Sequence, residues 1–220
     1  LLDANSNPVP SLVPTFSATD GGSTNSYGVC SAGSAAGVST CTLRSTRAES
    51  KTLTLSSPVA VVGGAISFVA GPVTALVFSP EPSPTATPGF ALAQQPAVAL
   101  VDAFGNVNTS TPETITLSAQ TAGCGAALGA GLIVGGANPV ATVGGVATFS
   151  GVQLTRTNIA ALQASSVSHG SVCSIAISVQ AGTAVSHAET IAASGPAVAG
   201  TAFTQQPSIT SLDTYGNPSS

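Results

Sequence analysis

Short runs of alternating apolar and small polar residues recur along the chain, and glycine, proline or asparagine punctuates them. In the first third they occupy 13–18, 38–43, 51–56 and 65–70. Further on come 75–78, 97–102, 114–118, 132–134, 140–143, 146–154, 159–164 and 174–179. A period of two puts one face of a strand in a core and the other outward. No window carries the i, i+3, i+4, i+7 spacing of a helix longer than a turn. Three prolines, Pro80, Pro82 and Pro84, follow 75–78 and cannot donate to a ladder, so that run reads as an edge strand breaking into a crossover. About seven short strands per unit, separated by turns, predict an all-β sandwich.

The pattern repeats. Gln94-Gln95-Pro96 and Asp102-Ala103-Phe104-Gly105-Asn106 return as Gln205-Gln206-Pro207 and Asp213-Thr214-Tyr215-Gly216-Asn217, at an offset of 111 residues. The same offset pairs Ile66-Ser67 with Ile177-Ser178 and Ala70-Gly71 with Ala181-Gly182. A weaker copy, Asp3 to Asn7, lies 99 residues before the Asp102 copy. The expected organisation is a tandem array: a module over 1–73 lacking its first strands, a complete module over 74–184, and the first strands of another over 185–220. Strands from the tail of one subunit could complete the head of the next and build a fibre. A window cut from a longer array is the favoured reading, because 213–220 repeats the role of 3–10.

Composition narrows the function. Only 5% of residues are charged, 4 Lys and Arg against 8 Asp and Glu, where about 25% is ordinary. Nucleic acid is excluded as a partner, since phosphate binding needs clustered cations. Arg44, Arg47 and Lys51, with Glu49 among them, read as a solvated strand face. The uncharged stretch 58–78 is broken by Pro58, Gly63-Gly64 and Gly71-Pro72, too often for a spanning helix of about 20 apolar residues.

Two cysteines fall in each module: Cys30 and Cys41, then Cys124 and Cys173. Disulfides within modules, in an oxidising compartment, are expected over free buried thiols or a metal site; there is no CxxC. The pairing Cys30 to Cys41 and Cys124 to Cys173 is chosen from three connectivities.

Catalytic chemistry finds no constellation. His169 and His187 read as surface histidines without partners, and no GxSxG elbow occurs. Asp102 and Glu113 are separated by a turn and Asp20 stands alone, which leaves no carboxylate pair for glycosidic cleavage. Asp102 with Asn106 and Asn108, or Asp213 with Asn217, offers too few oxygens for calcium, which takes about six to eight; Asx side chains capping their own turns explain these residues. The glycine-rich run 123–136 lacks the Lys of a phosphate loop and reads as a loop or a pair of short strands. Asn108-Thr109-Ser110 is an N-glycosylation pattern. No catalytic residue, metal ligand or cofactor is assigned.

Residues 146–154, Gln94-Gln95-Pro96 and 101–106 resemble the tandem bacterial immunoglobulin-like repeats of large surface proteins. Asn7-Pro8-Val9-Pro10, 15–18 and 36–40 are similar to the invasin and intimin type of that group. Ser6 departs from the pattern where a turn glycine is usual, which leaves the geometry of that turn open. The resemblance implies immunoglobulin-like modules serving as stalk, adhesin, filament subunit or spacer.

The function expected is therefore structural and extracellular: a bacterial filament, stalk or adhesin segment that self-associates head-to-tail or laterally through its low-charge surface. The alternatives are an adhesin module recognising a cell-surface receptor or glycan, with Tyr27, Phe104 and Tyr215 as loop aromatics, and a passive spacer in a secreted enzyme. Phe16, Phe68, Phe78, Leu100, Ile115, Phe149 and Leu162 are the expected core positions.

Overall fold

The computed structural model describes residues 1–19, 24–57 and 60–219. Asp20 and Pro58 lie outside the described residues. The chain divides into two compact units, the first comprising 1–72 with 101–108 and the second 73–100 with 109–220. Among the described residues no helix is long and apolar enough to cross a membrane.

In the first unit β1 (Thr15–Ala18), β2 (Asn25–Tyr27), β3 (Leu43–Ser45), β4 (Ser50–Ser57) and β5 (Val61–Ser67) follow in order. β4 lies between β1 and β5 in an antiparallel sheet, with Phe16 opposite Leu55 and Lys51 opposite Ile66. β2 and β3 form a separate antiparallel pair. The run 38–43 was expected as a strand, but only Leu43 is in one. Its backbone bonds reach 28, 31 and 34 from 42, 40 and 38, a spacing too uneven for a ladder, and the Cys30–Cys41 bridge draws the two sides to a Cα separation of 4.2 Å. Phe16 and Phe68 are half-buried, not core residues. Both line, with Leu53, Leu55 and Ile66, an open apolar hollow of about 920 Å³. Phe16 packs edge-on against Tyr27, which sits on β2 and not in a loop.

The second unit is a sandwich. Its strands are β6 (Ala75–Phe78), β7 (Thr85–Ala86), β8 (Ala97–Val101, the last residue counted with the first unit), β9 (Thr114–Gln120), β10 (Ala127–Leu128) and β11 (Leu132–Ile133). After them come β12 (Val140–Ala141), β13 (Val146–Thr148), β14 (Gln153–Leu154), β15 (Ala161–Ser166), β16 (Gly170–Cys173), β17 (Ser178–Val179), β18 (Ser186–Ile191) and β19 (Ser208–Leu212). One sheet runs β13-β8-β6; the other runs β10-β9-β15-β16, with β12 also on β9. The chain leaves the first sheet at Phe78 and, after the proline-rich crossover, pairs as β7 in parallel with β17. This division, with β6, β8 and β13 in one sheet and β9, β15 and β16 in the other, is the immunoglobulin-like arrangement. Between the sheets lie Leu76, Phe78, Leu100, Ile115, Leu117, Phe149, Leu154 and Leu162, all buried. β9 shows the predicted alternation, with Ile115 and Leu117 inward and Thr114 and Thr116 outward.

Two expected strands are cut differently. The run 146–154 breaks into β13 and β14 because the next partner in register, Pro96, accepts from Phe149 N but has no N–H to return, and Gly151 adopts a positive φ of 63°. In 174–179 only Ser178 and Val179 are strand, while 170–173, missed as a strand, pairs with β15. There Ser174 N still donates to Leu162 O, but Leu162 N turns to Ser174 Oγ and Ile175 N to the Glu81 carboxylate, so side-chain bonds end the ladder. The glycine-rich run contains the short strands β10 and β11.

Truncating Leu162 to Ala, fully buried between the sheets, should cost about 2–5 kcal/mol in urea unfolding. Val167→Ala, at a fully exposed position, should change stability by less than about 0.5 kcal/mol in the same assay.

Candidate functional site

The repeated Asp-to-Asn turn is where the structure concentrates its polar bonds. After β8 the chain needs to reverse, and Gly105 supplies a φ of 82° that L-residues avoid. Asp102 Oδ1 accepts from the backbone N–H groups of Phe104 (2.8 Å) and Asn106 (2.9 Å). Its Oδ2 accepts from Gly71 N (2.8 Å) and from Asn106 Nδ2 (2.9 Å). The Asn106 amide reaches further: Nδ2 donates to Thr46 O, and Oδ1 accepts from Ala48 N, each at 2.9 Å. Asn108 Nδ2 donates to Gly71 O at 2.7 Å.

The second copy uses the same atoms. Asp213 Oδ1 accepts from Tyr215 N and Asn217 N, and Oδ2 accepts from Gly182 N and Asn217 Nδ2. Asn217 Nδ2 donates to Thr155 O (2.9 Å), and its Oδ1 accepts from Thr157 N (3.1 Å). Ser219, aligned with Asn108, donates its hydroxyl to Gly182 O. Each turn is thus clasped to two places upstream: the glycine 31 residues before its aspartate, and a loop about 60 residues before its asparagine.

The first copy keeps the local half. Asp3 Oδ1 accepts from Asn5 N and Asn7 N, and Asn7 Nδ2 reaches both carboxylate oxygens. Ser6 takes a φ of 65°, so the turn keeps its form without glycine. Asp3 and Asn7 are exposed, whereas Asp102, Asp213 and Asn217 are buried.

These bonds set the charge state. The Asn106 side chain and the Gly71 N–H, opposed by burial, hold the Asp102 carboxyl far below the usual carboxylate range. For Asp213 burial raises the pKa most strongly, yet the Asn217 amide and the N–H groups of Gly182, Asn217 and Tyr215 together bring it down to about 2. Asn7 lowers Asp3 in the same sense. The carboxylate oxygens of Asp102 and Asp213 face N–H donors, an arrangement that closes a turn and leaves no oxygen cage for calcium.

Other sequence candidates change character. Cys30 is bonded to Cys41 and Cys124 to Cys173, the latter joining the end of β16 to the short turn before β10. Cys124 has a positive φ of 56°. The histidines are not alone: His169 Nδ1 lies 2.8 Å from Glu113 Oε2, and His187 Nδ1 lies 3.2 Å from Ser211 Oγ across the β18–β19 pair. Chain folding brings these partners together from 56 and 24 residues away, a distance at which the sequence carries no visible pattern. Burial raises the Glu113 pKa, but bonds from His169 and Thr114 outweigh it and leave it lowered. Asn108, the first residue of the N-glycosylation pattern, is buried with its amide on Gly71 O. Lys51 does not face solvent at all; it is fully buried.

The turn aromatics are placed by the clasps. Phe104 is 67% exposed and borders a small hollow with Leu43, Arg44 and Phe68. Tyr215 lies over Gly89, whose φ of 78° and missing side chain leave room for the phenol.

No protein-family model matches the chain, and no curated protein matches its sequence. Solved structures similar to it include InvD of Yersinia pseudotuberculosis, at 19% identity and a TM-score of 0.43 over 99% of this chain and 64% of that one. FdeC, an Escherichia coli adhesin, is 18% identical with a TM-score of 0.46, covering 99% of this chain and 68% of its own. The Yersinia pseudotuberculosis adhesin InvE is 16% identical with a TM-score of 0.35, covering 81% and 52%. The chain therefore spans less than two thirds of InvD and about half of InvE.

Replacing Asn217 with Ala removes the bonds to Thr155, Thr157 and the Asp213 carboxylate together, and should cost about 2 kcal/mol in chemical denaturation. The folded Asp213 pKa of about 2 lies below its ordinary 3.8, so its contribution is complete above about pH 4 and fades as pH falls from there towards 2. Thermal midpoints recorded across that window should fall for the native protein and fall less steeply for Asp213→Asn.

Proposed function

We propose that this chain is a non-catalytic structural segment of a bacterial extracellular filament, stalk or surface adhesin. Its repeating units are modules over 1–73, 74–184 and 185–220. The observation that carries this reading is the clasp, which recurs 111 residues apart with the same carboxylate, amide and glycine atoms. Each clasp fastens the turn after a Gln-Gln-Pro strand to the repeat before it, as a load-transmitting array needs. A catalytic site gains nothing from such periodicity; an elongated scaffold does.

The surface supports self-association. Val29, Val143 and Val167 are 94%, 83% and 100% exposed, and Phe90 is 69% exposed, on a chain with 5% charge. Exposed apolar side chains with few charges between them favour covered faces, through head-to-tail or lateral packing. Two disulfides support a location outside the reducing cytoplasm, at the cell surface or beyond it.

Sedimentation velocity over a rising concentration series, with negative-stain electron microscopy of the same samples, tests this. Concentration-dependent growth into fibres or rods, with an axial repeat of roughly 35–45 Å per module, is expected. A species that stays a short monomer at the highest concentration would remove self-association and leave a spacer.

A further inference from the structure

The chain has one lysine, and it is buried. Lysine is almost never fully buried unless paired, because its ammonium loses hydration that only a partner can replace. Lys51 Nζ has such a partner in Glu49 Oε1 at 2.7 Å, with the Lys51 side chain 0% and Glu49 27% exposed. Arg47 Nε holds the other Glu49 oxygen at 3.1 Å, which steers Oε1 towards the lysine.

Asn25 stands beside this pair. Its Nδ2 donates to Thr19 O at 3.0 Å, the same carbonyl that accepts from Lys51 Nζ at 3.2 Å. Nζ also reaches Oγ1 of Thr24, the chain neighbour of Asn25, at 3.5 Å. The Asn25 Oδ1 is buried and has no hydrogen-bond partner among the described residues. A buried amine that holds a carboxylate, and a side-chain amide with an unpaired carbonyl, thus meet at one backbone oxygen. An ordinary ion pair accounts for the first two groups but leaves the orphaned carbonyl unexplained.

We propose that Lys51 and Asn25 form an intramolecular isopeptide bond, with Glu49 as the proton carrier. Glu49 takes a proton from the Lys51 ammonium, and the freed Nζ attacks Asn25 Cγ. The C–Nδ2 bond breaks, and Nδ2 leaves as ammonium, carrying both protons that Nζ gives up. The new bond joins Nζ to Cγ, and Oδ1 remains a carbonyl. One nitrogen and its hydrogens depart, charge is conserved, and neither oxidant nor cofactor takes part. Burial of Nζ keeps water away from the reacting atoms and protects the product from hydrolysis. The cross-link ties β2 covalently to β4, strands of two separate sheets in the first unit. That suits a scaffold with no B-strand-to-F-strand disulfide of the antibody kind.

Intact-mass spectrometry of the purified, reduced full chain reads the bond directly. The native protein is expected to be lighter than its reduced sequence mass by one ammonia, and Lys51→Arg and Glu49→Gln to have their full masses. Acylation of the denatured chain with an amine-reactive ester should add one label, at the N-terminus, and two for Asn25→Ala. Trypsin should leave the bond after Lys51 uncut, with one peptide pair containing both Asn25 and Lys51. A native chain at full mass with two labels overturns the proposal, whatever the variants do. Loss of ammonia that persists in Lys51→Arg also overturns it, and assigns the loss to cyclisation of Asn25 onto its own backbone.

Discussion

A carboxylate can be buried and stay charged only when N–H donors fill its oxygens, and this requirement organises the chain. Asp102 and Asp213 each take four such donors, three from the backbone and one from the asparagine four residues on. Two donors are local and close the turn. The third belongs to a glycine 31 residues earlier, so the charge cannot be satisfied by the turn alone. The asparagine then spends its remaining valences on a loop further upstream. Removing any one group leaves the others facing a buried, under-satisfied ion, which makes the clasp cooperative. The exposed Asp3 turn shows the complementary case, where the local bonds form and water completes the solvation of the carboxylate.

The scarcity of charge gives the same rule wider reach. With so few ionic groups, nearly every one near the interior is committed: Glu49 to Lys51 and Arg47, Glu113 to His169, Glu81 to the backbone of Ile175. Cohesion elsewhere comes from the apolar layer between the two sheets of the second unit, built from β6, β8, β9, β13, β14 and β15. β9 and β15 are the central strands of its second sheet and pair through five successive positions. The outer surface, by contrast, carries exposed valines and phenylalanines among few charges.

Sequence by itself determined the class of fold, the strand period, the repeat and the turn that carries it. These are local properties: alternation, glycine at a positive φ and an aspartate capping its own turn all act within a few residues. The repeat register even contained the clasp's glycine, since Ala70-Gly71 and Ala181-Gly182 stood in phase. Thr46, Ala48, Thr155 and Thr157 were invisible because they contribute backbone atoms, which any residue type supplies. Tertiary structure alone decided where strands end: at Phe149 because pairing sets it opposite a proline that has no N–H to return, and at Ser174 because its hydroxyl takes the N–H that the next rung would use. It also decided burial. Lys51 sits in an alternating, polar-looking strand, and only the arrival of Glu49, Thr19 and Thr24 around its ammonium makes an interior place for it. Partners distant in sequence are chosen by the fold, and their chemistry becomes legible only when the chain has brought them together.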